Sequence, residues 1–209
     1  MFITFEGLDG SGKSTQAQLL VDDCRKGGRN VLLLRDPGGT EVSEQIRGIL
    51  LGKHTAQISA TTELLLFSAA RAELVQQVIL PALSSGTVVV CDRFYDSTTA
   101  YQGFGRGLNI DGIRTLNTIA TSGTSPDLTL FINVDLNELR RRRAAAGGIP
   151  DRMESSGDRF YESVQKGYAA IAQAEPRRCK IIDGMQSIEN VYKEIRSIVT
   201  RTSSILRNS

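Results

Sequence analysis

The chain has 209 residues, of which 40% are hydrophobic, and this length and composition suffice for one substantial buried core. Lysine and arginine number 25 and aspartate and glutamate 23, a near balance that argues against a nucleic-acid polymer as partner. The first predicted strand begins at residue 2, and no apolar run approaches the roughly 18 residues of a membrane span. We therefore expect one cytoplasmic domain over residues 1–209, without a signal peptide and without a membrane segment.

The first predicted element, an apolar strand at residues 2–5, leads into a glycine-rich stretch at residues 7–14. This stretch fits the phosphate-binding pattern G-x-x-x-x-G-K-[ST] at every fixed position, and helical apolar spacing follows it through residue 25. In that order, the N–H groups of the glycine turn, the positive end of the helix and Lys13 can surround phosphate oxygens, while Ser14 can place a hydroxyl on Mg²⁺. ATPases, GTPases and small-molecule kinases share the pattern, so it predicts a nucleoside triphosphate site without choosing the reaction.

Further along the chain, apolar strands and helices alternate. The fully apolar run at residues 31–34 and the mainly apolar runs at 87–91, 128–134 and 179–182 are typical of buried parallel strands. Helical spacing predicts helices near residues 42–50, 61–83, 94–102, 111–121, 136–146 and 158–174, with one more at the end. The alternation predicts a three-layer α/β fold, and the phosphate-binding stretch at residues 7–14 makes it one of the P-loop NTPase type. Its central parallel sheet of about five strands lies between helices and binds ligands at the carboxyl ends of the strands.

Asp92 and Arg93 directly follow the apolar run at residues 87–91. The fold therefore carries both side chains to the rim of the sheet where the glycine-rich stretch lies. A carboxylate there can hold the hydration shell of Mg²⁺, and an arginine can clamp an acceptor phosphate. A structural ion pair that caps the strand is the alternative interpretation.

Two helical faces could bind a base. Phe67 and Arg71 lie four residues apart on one face, where a ring can stack on a base and a guanidinium can read its carbonyl edge. One side of the next helix carries hydroxyls and an amide, at Ser97, Thr98, Tyr101 and Gln102. Taken alone, a phenylalanine is more often core, an arginine is more often a solvated charge, and such a polar side is more often helix surface.

A basic helix end at residues 140–143 runs into a glycine-containing loop and then Arg152. Mobile cations that close over phosphates stabilise the charge of phosphoryl transfer while they exclude water. The pattern therefore predicts a lid segment near residues 143–157. A charge run is usually a solvated face, and we accept that interpretation for Arg140 and Arg141.

Cysteine and histidine content limits the remaining chemistry. Cys24, Cys91 and Cys179 are odd in number, widely spaced and set in apolar surroundings, which predicts reduced, buried thiols rather than disulfides or zinc ligands. His54 is the only histidine of the sequence. This argues against histidine-based acid–base catalysis and against a multi-histidine metal site.

Taken together, these stretches resemble the thymidylate kinases, within the nucleoside monophosphate kinases. The resemblance covers nearly the whole chain, and it rests on residues 5–15, residues 35–40, the pair of Phe67 and Arg71, residues 92–102 and residues 151–168. It implies transfer of the γ-phosphoryl group of ATP to dTMP, giving dTDP and ADP with Mg²⁺, by a homodimer that binds neither nucleic acid nor membrane.

The resemblance also implies roles for individual residues. It implies ATP contacts by the phosphate loop and by one lid-side arginine, at Gly7, Leu8, Asp9, Gly10, Ser11, Gly12, Lys13, Ser14, Thr15 and Arg143. It implies catalytic roles for Lys13, Arg93 and Arg152, and metal contacts by Ser14 and Asp92. Its implied acceptor site consists of Asp9, Arg35, Pro37, Phe67, Arg71, Arg93, Ser97, Thr98, Tyr101 and Gln102. Asp9 would contact the 3'-hydroxyl, and Tyr101 would disfavour a 2'-hydroxyl.

Some features depart from the family pattern or leave alternatives open. Gly10 stands where some relatives carry an arginine, which assigns the catalytic arginine to Arg152 in the lid, while Asp36 stands where Glu is common. Residues 144–146 are alanines where many bacterial relatives carry further arginines, so which arginine of residues 140–143 contacts ATP stays open. A sibling kinase for another acceptor, such as dUMP or a deoxynucleoside, and a GTPase are the alternatives. The sequence does not support the GTPase alternative, because residues 133–135 lack the lysine of the guanine-reading motif.

Overall fold

A single parallel sheet organises the protein. The computed structural model describes residues 1–52, 58–147 and 157–203. Within these residues five strands pair in the order β2-β3-β1-β4-β5, and every pairing is parallel. The strands are β1 Phe2–Glu6, β2 Val31–Arg35, β3 Val88–Asp92, β4 Leu128–Asn133 and β5 Cys179–Asp183. The predicted α/β fold with about five parallel strands is confirmed.

Helices connect successive strands and cover both faces of the sheet. They are α1 Lys13–Lys26, α2 Glu41–Leu51, α3 Ala60–Leu74, α4 Leu80–Ser84, α5 Tyr95–Thr98, α6 Ile110–Ala120, α7 Leu136–Ala146, α8 Asp158–Ala174 and α9 Ile188–Thr202. Several helices begin at a polar cap; the Thr40 side chain, for example, accepts from the Ser43 N–H at the start of α2. Such a cap satisfies one N–H group that lacks a partner in the first turn.

The helix predicted near residues 94–102 has a different form. It begins as the short α5 and continues as a wider π-helical segment, Thr99–Gly105. Glycines allow close contacts there: a Cβ added to Gly103 would lie 2.5 Å from Ile110 Cδ1, and one added to Gly105 would lie 2.6 Å from Phe160 Cε2. The absence of these side chains lets α6 and α8 approach the segment, a packing effect that helical periodicity does not reveal.

Alternate residues of the central strands face opposite layers. On one face, Ile3 and Phe5 belong to a core formed with α1, α8 and α9. On the other face, Phe2 and Val89 pack against the end of α3 at Leu74 and the residues that follow it. Complete burial of such side chains contributes about 1.5–3 kcal/mol each. This packing holds the strands in position and therefore sets where their carboxyl ends lie.

The helix Ala60–Ser84, which includes α3, the π-helical turn Val75–Ile79 and α4, is long and apolar enough to cross a membrane by length and composition. No such stretch was expected from the sequence. One face packs into the core through Leu74 and Ile79, and Glu63 and Arg71 are buried in ion pairs on it. A core helix passes the same test, so the finding is weak evidence for a membrane span.

All three cysteines are buried and free. Burial raises the pKa of Cys24 and Cys91 above the usual value for a thiol, and it raises the pKa of Cys179 to about 12. The thiols therefore stay protonated at neutral pH and are poor nucleophiles. The prediction of buried, reduced thiols is confirmed; His54 lies outside the described residues.

Candidate active site

The glycine-rich stretch forms the loop between β1 and α1. Gly7, Gly10 and Gly12 have φ values of 147°, 86° and 94°, which residues with a side chain rarely adopt. A Cβ on Gly7 would also lie 2.7 Å from the Ile132 carbonyl oxygen. Among the described residues no side chain caps the start of α1 at Gly12, so first-turn N–H groups are left to a ligand. A helix start of this kind binds anions.

One carboxylate joins two cations at the centre of the site. Asp9 Oδ1 accepts from Lys13 Nζ at 3.2 Å and from Arg93 Nη2 at 2.7 Å. Burial alone would raise the pKa of Asp9, but Arg93 and Lys13 together lower it well below its usual range. Lys13 belongs to the phosphate loop and Arg93 follows β3, so Asp9 connects the two parts of the site that the sequence analysis assigned to two phosphates.

Arg93 is held tightly. Its φ of 72° lies in the left-handed region, a conformation that costs of order 1 kcal/mol or more in a non-glycine residue. Arg93 Nη1 donates to Ser97 Oγ at 3.2 Å and to the Tyr168 hydroxyl at 3.3 Å, while Nη2 also donates to the Tyr101 hydroxyl at 3.3 Å. The guanidinium lies 5.1 Å above the Tyr101 ring. These contacts fix the direction of the guanidinium before any ligand binds.

Ser14 and Asp92 lie together at the start of α1 and the end of β3. The Ser14 hydroxyl donates to Asp92 Oδ2, and Asp92 Oδ1 is buried without a hydrogen-bond partner in the described part of the chain. The same residues contain no cluster of three His, Cys, Asp or Glu side chains. Mg²⁺ in phosphoryl-transfer sites takes one or two protein carboxylates and otherwise phosphate and water oxygens. The hydroxyl and the unpartnered oxygen fit that requirement.

A pocket opens next to Arg93, with a volume of about 100 Å³. Most of the predicted acceptor residues line it: Asp9, Pro37, Phe67, Arg71, Arg93, Ser97, Thr98, Tyr101 and Gln102. The pocket is also lined by Asp36, Arg47 and Leu51, which were not predicted from the sequence as acceptor residues. Arg35, in contrast, extends from the end of β2 beside Ser14 and Asp92 and pairs with Glu44 at 2.9 Å.

Arg71 is buried rather than solvated, contrary to the usual environment of a helical arginine. Its Nε donates to Asp36 Oδ2 at 2.5 Å, and both side chains are at most 1% exposed. Weaker bonds of 3.4 Å reach Asn117 Oδ1 and the Phe94 carbonyl oxygen. The sequence signal for this contact was the position of Asp36 in the loop after β2, which was noted only as a departure from Glu.

Replacing Asp36 with asparagine is expected to lower the free energy of unfolding by about 3 kcal/mol, because it leaves the Arg71 charge buried without a counter-charge. Urea unfolding monitored by circular dichroism measures the change. The matched control is Asp111→Asn, which removes the partner of Arg114 from an exposed ion pair, and it should leave the unfolding curve unchanged. Equal curves for all three proteins would contradict the argument.

Gln102 is oriented by a second buried acid. Its Nε2 donates to Glu63 Oε1 at 2.8 Å, and Arg106 donates to both Glu63 oxygens at 3.2 Å. A carboxylate only accepts hydrogen bonds, so the Gln102 amide must turn its nitrogen toward Glu63. Glu63 was not predicted from the sequence, although a charge four residues before Phe67 on the same helical face was a usable signal.

The basic helix end divides into two pairs. Arg140 and Arg141 pair with Asp158 and Glu138 and are 46% and 70% exposed, as the interpretation of a solvated face expects. Arg142 reaches the phosphate loop and donates to the Gly10 carbonyl oxygen at 3.4 Å. Arg143 lies there too, with its Cγ 3.5 Å from a Cβ placed on Gly10. Arg152 and most of the predicted lid lie outside the described residues.

Comparisons with known proteins agree with this arrangement. The sequence profile of a family described as thymidylate kinase matches residues 5–195. A thymidylate kinase of Chlorobaculum parvum is 47% identical over 205 residues, covering 94% of each chain. Another, from Thermoanaerobacter sp. (strain X514), is 44% identical over 200 residues, covering 96% of this chain and 97% of the relative.

A solved structure is similar over the same extent. The crystal structure of thymidylate kinase from Ehrlichia chaffeensis superposes with a TM-score of 0.78 at 37% sequence identity. The match covers 96% of this chain and 98% of that one. The chain therefore belongs to the thymidylate kinase family.

Proposed function

We propose that the protein transfers the γ-phosphoryl group of ATP to the phosphate of dTMP, giving dTDP and ADP, with Mg²⁺ bound beside Ser14 and Asp92. One observation carries the proposal: Asp9 contacts both Lys13 and Arg93. Asp9 therefore belongs both to the phosphate loop and to the lining of the acceptor pocket, and two phosphates bound there would lie side by side. Holding two reactants in such an arrangement supplies much of the rate enhancement of a phosphoryl transfer.

ATP is proposed to bind along the phosphate loop and the start of α1. Residues 7–15 would surround its phosphates with N–H groups, and Lys13 would stay in contact with the phosphoryl group during its transfer. Ser14 and Asp92 would hold Mg²⁺, which would supply positive charge against the charge that develops on the phosphates. Arg143, beside Gly10, is proposed to contact ATP, and Arg142 is positioned equally well. The catalytic role of Arg152 rests on the family resemblance alone.

The acceptor dTMP is proposed to bind in the pocket, with its phosphate on Arg93 and its base between α3 and the segment after α5. Phe67 would stack on the thymine, and Thr98 and Ser97 would border it. Among the described residues, both ion pairs of Asp9 use Oδ1, and Oδ2 would accept from the 3'-hydroxyl. The Tyr101 ring, held below the Arg93 guanidinium, would pack against the deoxyribose where a 2'-hydroxyl would otherwise lie.

The polarity of the pocket favours a thymine or uracil edge. Arg71 presents donors only, which suits the O4 carbonyl, and Gln102 turns its nitrogen to Glu63, so that its carbonyl oxygen can accept from N3–H. Cytosine carries the opposite groups at these two positions, a donor at C4 and an acceptor at N3. A buried mismatch of this kind costs the desolvation of the unpaired groups, about 1–3 kcal/mol each.

Replacing Glu63 with glutamine is expected to reduce the preference for dTMP over dCMP by about tenfold in kcat/KM. The amide both donates and accepts, so Gln102 becomes free to reverse and offer its nitrogen to N3 of cytosine. Steady-state rates with the two acceptors measure the ratio. The control Glu41→Gln, on the exposed start of α2, should keep the wild-type ratio. An unchanged ratio in a folded Glu63→Gln protein would rule out this role of Glu63.

The acceptor itself is tested by ADP release from ATP with a panel of dTMP, dUMP, UMP, dCMP, AMP, GMP, thymidine and no acceptor. We expect a strong preference for dTMP. If another monophosphate is preferred, the kinase reaction stands and the assignment of Phe67 and Arg71 is wrong. GTP turnover without any acceptor would favour the alternative of a GTPase.

We further propose that the protein works as a cytoplasmic homodimer and that residues 1–209 form one kinase domain with a lid near residues 143–157. Buried free thiols suit a reducing compartment. The dimer follows from the family resemblance, and sedimentation velocity at micromolar concentration tests it. A lone monomer peak across the concentration range would remove this part of the proposal.

A further inference from the structure

Glu6 is a fully buried acid to which the reaction described above gives no role. It is the last residue of the central strand β1, directly before the phosphate loop. Three groups donate to its carboxylate: the Phe94 N–H to Oε1 at 2.8 Å, and the hydroxyls of Ser97 and Tyr168 to Oε2 at 2.6 and 2.7 Å. A buried charge is costly unless it is satisfied in this way, so its position in the site calls for an explanation.

The two hydroxyls connect Glu6 to Arg93. Ser97 Oγ and the Tyr168 hydroxyl oxygen each accept from Arg93 Nη1, at 3.2 and 3.3 Å. A guanidinium only donates and an ionised carboxylate only accepts, so each hydroxyl that bridges them directs its proton to Glu6 and a lone pair to Arg93. The two hydroxyl oxygens also lie 2.9 Å apart. Charge-assisted bonds polarised in one direction strengthen one another.

Glu6 also supports the backbone turn that carries Arg93. The Phe94 N–H that it accepts from belongs to the residue directly after Arg93, whose φ is 72°. On the other side of the turn, the Arg93 N–H donates to the Phe5 carbonyl oxygen at 2.9 Å. The last two residues of β1 therefore hold Arg93 from both its backbone and its side chain.

We propose that Glu6 is a positioning residue, which acts through the hydroxyls of Ser97 and Tyr168 and through the Phe94 N–H to direct the Arg93 guanidinium at the acceptor phosphate. The inference rests on the proposed function, because it needs Arg93 to bind that phosphate. Glu6 itself is fully buried and hydrogen-bonded to these three groups, so its effect on the acceptor is transmitted through Arg93.

The charge of Glu6 depends on pH in the neutral range. Burial and the nearby Asp96 raise the pKa of Glu6 to about 7, against the opposing effect of Arg93 and of the hydrogen bonds from Ser97 and Tyr168. As the pH falls through this value, the carboxyl gains a proton and becomes a donor to one hydroxyl. One hydroxyl must then turn toward Arg93 or lose its bond, so acid conditions should weaken the hold on the guanidinium.

The test compares the binding of dTMP and of thymidine, which lacks the phosphate, by calorimetry. For Glu6→Gln we expect the Kd of dTMP to rise about tenfold, while the Kd of thymidine changes less than about twofold. Asp96→Asn is the matched control, since Asp96 is a buried acid whose direct partners are Arg178 and Thr129. It should leave both Kd values near those of the wild type at about pH 8, where Glu6 is ionised either way.

Other outcomes would distinguish a failure of the role of Glu6 from a failure of the role of Arg93. Parallel loss of dTMP and thymidine binding, or no loss of either, would overturn the role of Glu6. If the wild-type protein bound dTMP no better than thymidine, the result would contradict the proposed binding of the acceptor phosphate by Arg93, on which the role of Glu6 depends. Should Glu6→Gln not fold, Tyr168→Phe provides the same readout, because it removes one of the two connecting hydroxyls, and a smaller loss confined to dTMP is expected.

A pH series adds a readout that a purely structural residue would not change. The phosphate of dTMP itself titrates at about pH 6, which affects the variant and the wild type alike. The quantity to follow is therefore the ratio of variant to wild-type Kd for dTMP. We expect this ratio to be largest above about pH 7 and to approach one near about pH 6, where wild-type Glu6 is also neutral. A ratio that stays constant across this range would contradict the proposal.

Discussion

Replacing Arg93 with methionine is expected to lower kcat/KM for dTMP by about a thousandfold. The loss of a desolvated charge partner costs about 2–5 kcal/mol, and each 1.4 kcal/mol is a factor of ten. Arg93 is bonded to Asp9, Ser97, Tyr101 and Tyr168, so its guanidinium is fixed where the acceptor phosphate would bind. Steady-state kinetics at saturating ATP, with dTMP varied, measure the change.

The comparison variants make this prediction specific. Arg93→Lys should recover little activity, since an ammonium group cannot reproduce bonds that the two terminal nitrogens of Arg93 make in different directions. Arg114→Met removes an exposed arginine of α6 and should keep wild-type kinetics. A folded Arg93→Met protein within about threefold of the wild type would refute the assignment of the acceptor phosphate to Arg93.

Lys13→Met is expected to lower kcat by about a thousandfold and to change the Kd of dTMP much less. A preorganised donor that faces developing charge contributes about 10²–10³ in rate, and Lys13 adds a full positive charge. Its side chain is buried at the start of α1 and bonded to Asp9, and it is not among the residues that line the acceptor pocket in the described part of the chain. Single-turnover rates and dTMP titrations separate the two effects.

Lys26→Met is the matched control for Lys13, because Lys26 lies exposed in the last turn of the same helix. It should retain wild-type kcat. A Lys13→Met protein with normal kcat and weakened dTMP binding would move Lys13 from the ATP side of the site to the acceptor side. Thermal unfolding of both variants checks that neither result reflects loss of the fold.

The fold could be predicted because its signals are local. Each element can be recognised from a few neighbouring residues, as in the apolar run at residues 87–91 and the phosphate loop at residues 7–14. The order of these elements along the chain then predicts a parallel sheet. The same locality placed Asp92 and Arg93 at its carboxyl rim. The π-helical segment Thr99–Gly105 was not predictable in this way, because it depends on how closely α6 and α8 approach its glycines.

The buried acids of the site escaped prediction for the opposite reason. Glu6 and Tyr168 are 162 positions apart, and Asp36 and Arg71 are 35 apart, so no periodicity connects them. A single charge in an apolar stretch looks like a surface residue until its partner is known. Glu6 was noted as part of the motif at residues 5–15, but only the geometry places its carboxylate beside the hydroxyls that hold Arg93.

The most direct test of the central claim follows the labelled phosphate. The protein is incubated with Mg²⁺, dTMP and ATP that carries ³²P in its γ-phosphate, and the products are separated by chromatography. We predict one labelled dTDP for each ADP formed, and no ADP formation above background when dTMP is omitted. Label recovered as inorganic phosphate, or ADP formed at the same rate without dTMP, would contradict the account.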